Sequence, residues 1–291
     1  MKFRGVMTDA IAMKDFMNVA VAVSKLAKEC VMRITKRKVY FIISEEDAGP
    51  RRPLVWCELP VNFYFSEYIL EGVNEDYNEI YLSFATGMLS RSLSTLKQNP
   101  KSLKVKLTNK QTPCLTLEIE LISGEGIQNR QCVHDIPVET ISRKHWKDYE
   151  EPHFNDFHVT LQMPHLKPIK NIVERMKNIS NALTVSATKD GRLTLAIQET
   201  TVNMSAHFPD LSVESFAGNI HGFTKTVTDE DNLEIVSATI DIKKFLMFIT
   251  GMHINNNCTT ICSIVQEKMV KLFLEQPGSL SLQCFLTQLI I

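Results

Sequence analysis

Neither sign of charge dominates this chain. Its 291 residues carry 32 Lys and Arg against 33 Asp and Glu, a formal net charge of −1. That excludes a molecule that is basic throughout, so any contact with a polyanion must come from cations gathered on one surface. Paired thiols are also lacking. The seven cysteines, Cys30, Cys57, Cys114, Cys132, Cys258, Cys262 and Cys284, are odd in number and form no Cys-x-x-Cys. They read as buried thiols of a reducing compartment. His253 with Cys258 and Cys262 comes closest to a metal set. Its spacing matches no common zinc pattern, and a strand would turn both cysteines to one face, so packing is expected there and no metal.

Long uninterrupted apolar runs are lacking as well. Residues 16–27 are apolar, but Asp9, Lys14 and Asp15 precede them, Lys25 interrupts them and no small-residue cleavage site follows. A buried amphipathic helix is the better account than a signal peptide. Residues 245–266 carry no formal charge, yet Asn255, Asn256 and Asn257 stand in their middle, which argues against a membrane span. The expectation is a soluble intracellular protein with no membrane contact, whose sequons at Asn178, Asn203 and Asn257 carry no glycan.

Catalytic signatures are lacking too. There is no Gly-x-Ser-x-Gly, His-Glu-x-x-His, Gly-x-x-x-x-Gly-Lys or dinucleotide fingerprint. Gly124-Glu125-Gly126 follows a predicted strand with no helix after it and reads as a turn. His134 and Asp135 are neighbours in a predicted strand and so point to opposite faces, which separates them as acid and base. No enzyme activity and no cofactor are expected, although a site assembled from distant residues stays open.

What is present is ordinary globular composition, 44 % hydrophobic and 22 % charged, with length for two domains. The pattern doubles. In the first half a strand over 2–7 precedes a helix over 8–28, whose inner stripe is Met13, Phe16, Met17, Ala20, Val23 and Ala27. Lys14, Asn18, Lys25 and Lys28 run along its outer stripe, with Asp9, Asp15 and Glu29 balancing the helix as a whole. Strands over 30–35 and 39–43 meet at Lys36-Arg37-Lys38. Further strands are expected over 54–59, 65–71 and 79–84. A helix over 86–98, capped by Thr86, turns Leu89, Leu93 and Leu96 inward and Arg91 and Lys97 outward. Alternating stretches over 103–107 and 115–122 form a hairpin, and 132–138 is another strand.

Residues 139–156 break the rhythm. His145, Trp146 and Tyr149 stand among charges, and the stretch reads as an inter-domain connector whose aromatics either anchor it or form a docking surface. The second half then repeats the first. A strand over 157–163 leads into a helix from Pro164 to Asn181, with Ile169, Ile172, Val173, Met176 and Ile179 on the apolar stripe. Lys167, Lys170 and Lys177 lie opposite, Arg175 lies at the flank, and Glu174 is the one acid. Strands over 183–188 and 192–197 meet at Lys189-Asp190-Gly191, and 201–207 follows. Residues 209–233 read as an acidic loop in which Thr228 resembles an acidic-kinase site. After a strand over 234–240, a helix over 241–250 turns Phe245, Leu246 and Ile249 inward and Lys243 and Lys244 outward. A hairpin over 258–274 and a strand over 280–286 close the chain. Each half is expected to be a sheet domain with two helices on one face.

Met1-Lys-Phe-Arg4, Glu71-Gly-Val, Asn78-Glu-Ile-Tyr-Leu82, Leu107-Thr-Asn-Lys110, Pro113-Cys-Leu-Thr116, His134-Asp-Ile-Pro137, Glu174-Arg-Met-Lys-Asn-Ile-Ser180 and Asp190-Gly-Arg-Leu193 resemble the Hus-one subunit family of the checkpoint DNA clamp. Trp146-Lys147, Ala206-His207-Phe208, Ile240-Asp241 with Lys244, and Ser279-Leu-Ser-Leu-Gln283 resemble it too. Gln162-Met163-Pro164 before a basic helix is similar to the wider sliding-clamp family.

The resemblance implies an α+β fold of two sliding-clamp domains, residues 1–138 and 157–291, joined by the 139–156 connector. Each would hold antiparallel sheets with two helices on the inner face. It implies a ring with Rad-nine and Rad-one subunits around double-stranded DNA, a replication-factor-C-like clamp loader, DNA repair enzymes as clients and a nuclear location. By the same likeness Lys14, Lys25, Arg91, Lys97, Lys167, Lys170, Lys177, Lys243 and Lys244 face DNA. Two strands form the subunit edges, one carrying Leu115, Leu117, Ile119 and Leu121 and the other Val202, Met204 and Ala206. Trp146 and Tyr149 mark the docking connector. The alternatives are a homotrimeric processivity clamp of the same fold, and an unrelated enzyme or interaction scaffold.

Overall fold

The computed structural model describes residues 1–44, 53–123, 128–152, 154, 156–217, 235–251 and 258–289. The chain divides into two compact units, one built mainly from Met1–Glu151 and the other mainly from Pro152 onward. The division falls after Glu151, so residues 139–151 of the expected connector belong to the first unit.

The first unit runs β1 (Lys2–Met7), α1 (Ala10–Leu26), β2 (Glu29–Ile34), β3 (Lys38–Ser44), β4 (Pro53–Pro60), the single turn α2 (Val61–Tyr64), β5 (Glu67–Glu71), β6 (Ile80–Ala85), α3 (Thr86–Leu93) with a 3-10 extension over Ser94–Lys97, β7 (Pro100–Asn109), β8 (Pro113–Leu121), β9 (Arg130–Pro137) and β10 (Glu139–Thr140), ending in a 3-10 turn over Arg143–Tyr149. The second runs β11 (Val159–Gln162), α4 (Leu166–Met176), β12 (Ala182–Thr188), β13 (Leu193–Gln198), β14 (Asn203–Phe208), β15 (Val213–Phe216), β16 (Ile235–Asp241), α5 (Ile242–Gly251), β17 (Thr259–Val265), β18 (Met269–Gln276) and β19 (Leu280–Thr287).

Strand order makes the doubling literal. The first unit has the orders β5-β1-β7-β8-β9 and β6-β2-β3-β4, with β10 beside β6. The second has β15-β11-β17-β18-β19 and β16-β12-β13-β14. The two sets coincide strand for strand when β11 is matched to β1, β12 to β2 and so on to β19 with β9. Helices α1 and α3 lie side by side in one unit, as α4 and α5 do in the other. Each pair covers apolar strand residues that would otherwise meet water.

Local chemistry explains the helix ends. The Asp9 carboxylate accepts the Ile11 and Ala12 backbone N–H groups at 2.7 and 2.8 Å, satisfying two donors the helix cannot. Met13, Phe16, Met17, Ala20 and Val23 are buried as their spacing predicts, and Ala12, Val19, Ala22 and Leu26 widen the buried face. Ala27 is only half-buried because the helix stops at Leu26. Thr86 does not cap α3, whose N-cap position is Ala85. Its hydroxyl donates instead to the carbonyls of Ala27 and Lys28, joining the start of α3 to the end of α1. In α4, Ile169, Val173 and Met176 are buried, but Ile179 is 44 % exposed. The helix has ended by then, and the Ile179 and Ser180 N–H groups both fold back onto the Met176 carbonyl.

Two further expectations are corrected. The strand bearing Leu115, Leu117, Ile119 and Leu121 is not an edge. It is β8, paired along its length to β7 on one side and β9 on the other. Those four side chains are at most 1 % exposed because they form the core under the helices. The 209–233 stretch is not loop throughout, since Val213–Phe216 pairs with β11 as strand β15. Thr228, His253, Gly124-Glu125-Gly126 and Asn255 to Asn257 lie outside the described residues.

Candidate nucleic-acid interface and subunit edges

Cations fall into two populations. Most of those on and beside the strands of the first unit are matched by carboxylates, with Arg130 at the start of β9 the exception among the described residues. Lys2 meets Glu71 at 3.2 Å, Arg4 meets Glu67 at 3.2 Å, and Arg33 forks onto both oxygens of Glu79 at 2.9 Å. Lys101 meets Glu120 at 2.9 Å, Lys104 and Lys106 share Glu118, and Lys110 meets Asp135 at 2.6 Å. Cross-strand register sets this up, as in the direct Lys104–Glu118 pair of β7 and β8. Hydrogen bonds from Lys106 and Lys104 hold the Glu118 carboxyl below its usual range, and one from Lys110 does the same to Asp135.

Most of the helix cations are not matched. Lys14, Lys25, Arg91, Lys97, Lys167, Lys177 and Lys243 are all exposed, and none makes an ion pair among the described residues. Lys170 is half-buried and lies 3.7 Å from Glu174, and Lys244 is half-buried. Lys14 and Lys25 are eleven positions apart, three helical turns, so they share one face of α1 roughly 16 Å from end to end.

Nearby acids are occupied elsewhere. Asp9 caps α1, and Asp241 accepts the Lys243 and Lys244 N–H groups at 2.7 and 3.1 Å at the start of α5. Asp15, which the sequence sets against the lysines of α1, is 4 % exposed and accepts the Tyr64 hydroxyl at 2.6 Å. It therefore leaves the lysine face uncompensated. Among the helix faces, Glu174 is the one exposed acid in α1, α3, α4 or α5. Lys28 and Arg175 are also exposed and unpaired among the described residues.

Both units end in a strand with one neighbour. In β14, residues 203–208 pair only with β13 among the described residues, and Met204 and Ala206 are half-buried beside exposed Val202. In the first unit β9 is paired to β8 alone among the described residues, and β5 and β10 also have one neighbour each. Val133 of β9 is 52 % exposed, and Pro137 closes that strand. His134 and Asp135 serve different partners on this strand: a His134 ring nitrogen lies 3.2 Å from the Thr95 hydroxyl, and Asp135 accepts from Thr116 at 2.6 Å.

The connector aromatics meet the first unit. Trp146 stacks on Tyr81 at 4.6 Å and donates its indole N–H to the Ile141 carbonyl at 3.0 Å. Tyr149 is 3 % exposed. No group of three metal-binding side chains occurs among the described residues, and no described helix is long and apolar enough to cross a membrane. Burial pushes the Cys262 thiol up to about 12 and raises Cys30 and Cys57 as well, as suits packing residues.

Comparison with known proteins agrees with this architecture. The chain is 40 % identical over 271 residues to human checkpoint protein HUS1, covering 93 % of each chain. It is 29 % identical over 262 residues to checkpoint protein Hus1-like of Drosophila melanogaster, covering 90 % of each. Among solved structures it superposes on the proliferating cellular nuclear antigen of Entamoeba histolytica with a TM-score of 0.69 at 11 % identity, covering 99 % of both chains. PCNA of Thermococcus kodakaraensis gives 0.65 at 13 % identity, covering 98 % of this chain and 99 % of that one. These establish an α+β sliding-clamp fold. The sequence model of Hus1-like protein matches residues 1–290, and the chain belongs to that family.

Proposed function

We propose that this chain is one subunit of a heterotrimeric, ring-shaped clamp that encircles duplex DNA without reading its sequence, acting in DNA-damage checkpoint signalling and as a platform for repair proteins. Its neighbours in the ring are subunits of the Rad-nine and Rad-one type. A replication-factor-C-like loader opens and closes it, and its place of work is the nucleus. It works by topology and carries out no turnover.

The observation that carries this reading is the set of exposed cations on the helices, Lys14, Lys25, Arg91, Lys167, Lys177 and Lys243, which make no ion pair among the described residues while nearby Asp9, Asp15 and Asp241 are committed to caps and a buried hydroxyl. Phosphates present dense charge with no sequence information, so dispersed lysines attract any duplex equally. Long single side chains at spaced positions bind weakly one by one, which permits sliding. The terminal strands β9 and β14 are unlike surfaces on different units, and unlike surfaces join head to tail, closing into a ring when the rotation allows. Membership of the Hus1-like family favours unlike neighbours over three copies of this chain. The likeness to PCNA at 11–13 % identity speaks to fold alone.

The test is co-expression with Rad-nine and Rad-one subunits, followed by mass measurement and retention on closed circular DNA. The expected result is a monomer alone and a ring of three different chains together. A ring formed by this chain alone would support the homotrimeric reading, and no association with either partner would overturn the assignment.

A further inference from the structure

The first unit contains an open cleft of about 640 Å³ at the end of the sheet where β2 turns into β3 and the chain enters β6. Ile34 and Ile80 are cross-strand partners, so the 35–38 turn and the 72–79 turn lie side by side. The floor is aromatic. The Arg33 guanidinium sits 5.1 Å from the Tyr40 ring centre and 5.6 Å from that of Tyr81, held by its fork to Glu79, and Trp146 lies flat on Tyr81. Arg33 is satisfied, so the floor offers flat apolar surface rather than a cation-hungry cage.

The two walls carry opposite charge. Lys36 and Arg37 stand on one turn, Glu75 and Asp76 on the other. All four are exposed, and no ion pair among the described residues joins them. Both turns are held rigid from below. Thr35 bonds Lys38 through both its hydroxyl and its backbone N–H, and Tyr68 donates to the Thr35 carbonyl at 2.7 Å. Opposite, Asn78 accepts the Gly72 N–H at 2.7 Å and Asn74 accepts the Tyr77 N–H at 2.8 Å. Gly72 is required there, because a Cβ would come within 2.4 Å of the Glu79 backbone nitrogen. A rigid cleft loses little conformational freedom when it is filled.

We infer that this cleft is a docking site for a linear segment of a protein partner in which an acidic arm and a basic arm flank an aromatic or large aliphatic residue. The apolar residue lies on Trp146, the acidic arm meets Lys36 and Arg37, and the basic arm meets Glu75 and Asp76. Charge complementarity selects this occupant. A nucleic acid would be repelled by the acidic wall, and a uniformly acidic or uniformly basic segment would satisfy one wall and be repelled by the other. The inference deepens the platform role proposed above by naming a place and a chemistry for one client.

The cleft supplies its own reporter. Of the two tryptophans, Trp56 is 1 % exposed and Trp146 is half-buried on the cleft floor. The probes are synthetic peptides with the arms Asp-Glu and Lys-Arg flanking Gly-Phe-Leu-Gly, and two controls with both arms acidic or both basic. They are titrated into the full chain while tryptophan emission and its quenching by acrylamide are followed. The mixed-charge peptide is expected to bind saturably and shield Trp146, each control binding about 5- to 10-fold more weakly at low salt. The variant K36E/R37E makes both walls acidic and should invert the preference toward the doubly basic peptide. These exposed substitutions leave the fold intact, which an unchanged melting temperature checks. Equal binding of all three peptides, no saturable shielding of Trp146, or an unchanged preference in K36E/R37E would overturn the inference. Because the titration uses the chain alone, loss of ring assembly is scored separately, and its failure would count against the clamp reading rather than the cleft.

Discussion

The sharpest consequence of the unmatched helix cations concerns α4. Lys167 and Lys177 are exposed with no ion pair among the described residues, whereas Lys170 is half-buried and shares Glu174 at 3.7 Å. Each full phosphate contact contributes a slope of about −0.9 to log K against log salt, roughly eight-fold in affinity at 0.1 M salt. Lys167→Ala with Lys177→Ala should therefore flatten the slope of the assembled ring by up to about 1.8 and weaken binding by up to roughly 60-fold. Lys170→Ala should cost less than either, since Glu174 already offsets part of its charge. Glu174→Gln should do the opposite, tightening binding and steepening the slope by up to about 0.9. Surface changes of this kind leave stability within about 0.5 kcal/mol. The assay is fluorescence anisotropy of a short open-ended duplex between 50 and 200 mM salt, where topology cannot retain the ring and only contacts are read. Identical slopes for wild type and K167A/K177A, or weaker binding by E174Q, would refute the claim that this face meets phosphate.

Other expectations follow from the same structure. Val133→Lys on β9 should leave the chain folded, because Val133 is 52 % exposed, yet reduce ring assembly as read by mass. Leu117→Pro should instead unfold the first unit, costing about 3 kcal/mol or more in a denaturant melt, because β8 is paired on both sides. Tyr64→Phe takes the hydroxyl from buried Asp15 and should cost about 1.5–3 kcal/mol, read as a lower melting temperature. The depressed carboxyls of Glu118 and Asp135 favour the folded chain above the unfolded carboxylate range near 4.5 and 3.8, and that contribution is lost as pH falls through their lower folded values. Glu118→Gln should therefore shallow the acid limb of a stability–pH profile.

How legible this was depends on which forces act locally. The inner face of α1 is readable because burial of Met13, Phe16, Met17, Ala20 and Val23 repeats every turn. The fate of Asp15 is not, because its partner Tyr64 lies 49 residues away. Composition counts Asp15 against the lysines of the helix, while the fold turns it inward. The rank of a strand in its sheet is equally invisible. Alternating Leu115, Leu117, Ile119 and Leu121 announces a buried face but says nothing of who pairs on either side, and the marginal strand β9 looks weaker in sequence because it is half unpartnered. Four-residue β15 escapes notice because Val213–Phe216 is too short for a period and sits among acids. Thr86 looks like a cap because caps and inter-element ties use the same hydroxyl chemistry.

A nearly neutral protein can present a cationic surface in two ways: by concentrating its bases there, or by neutralising them everywhere else. Strands β1, β7 and β8 of the first unit follow the second route, while Lys36, Arg37 and Arg130 make no ion pair among the described residues. Those strands are rich in lysine, and matched glutamates across the ladder remove their long-range field. The helices need only a few bases, because their acids are committed to caps at Asp9 and Asp241 and to a buried hydroxyl at Asp15. This arrangement makes the acids as decisive as the lysines. Replacing Glu118 by Gln would leave Lys104 and Lys106 without their carboxylate on the sheet, creating a second cationic patch away from the helices. The isolated chain should then bind short duplexes more tightly than wild type at low salt, with a steeper salt slope, although no helix residue has changed. Unaltered binding by E118Q would mean that matching on the sheet contributes nothing to confining the field to the helices.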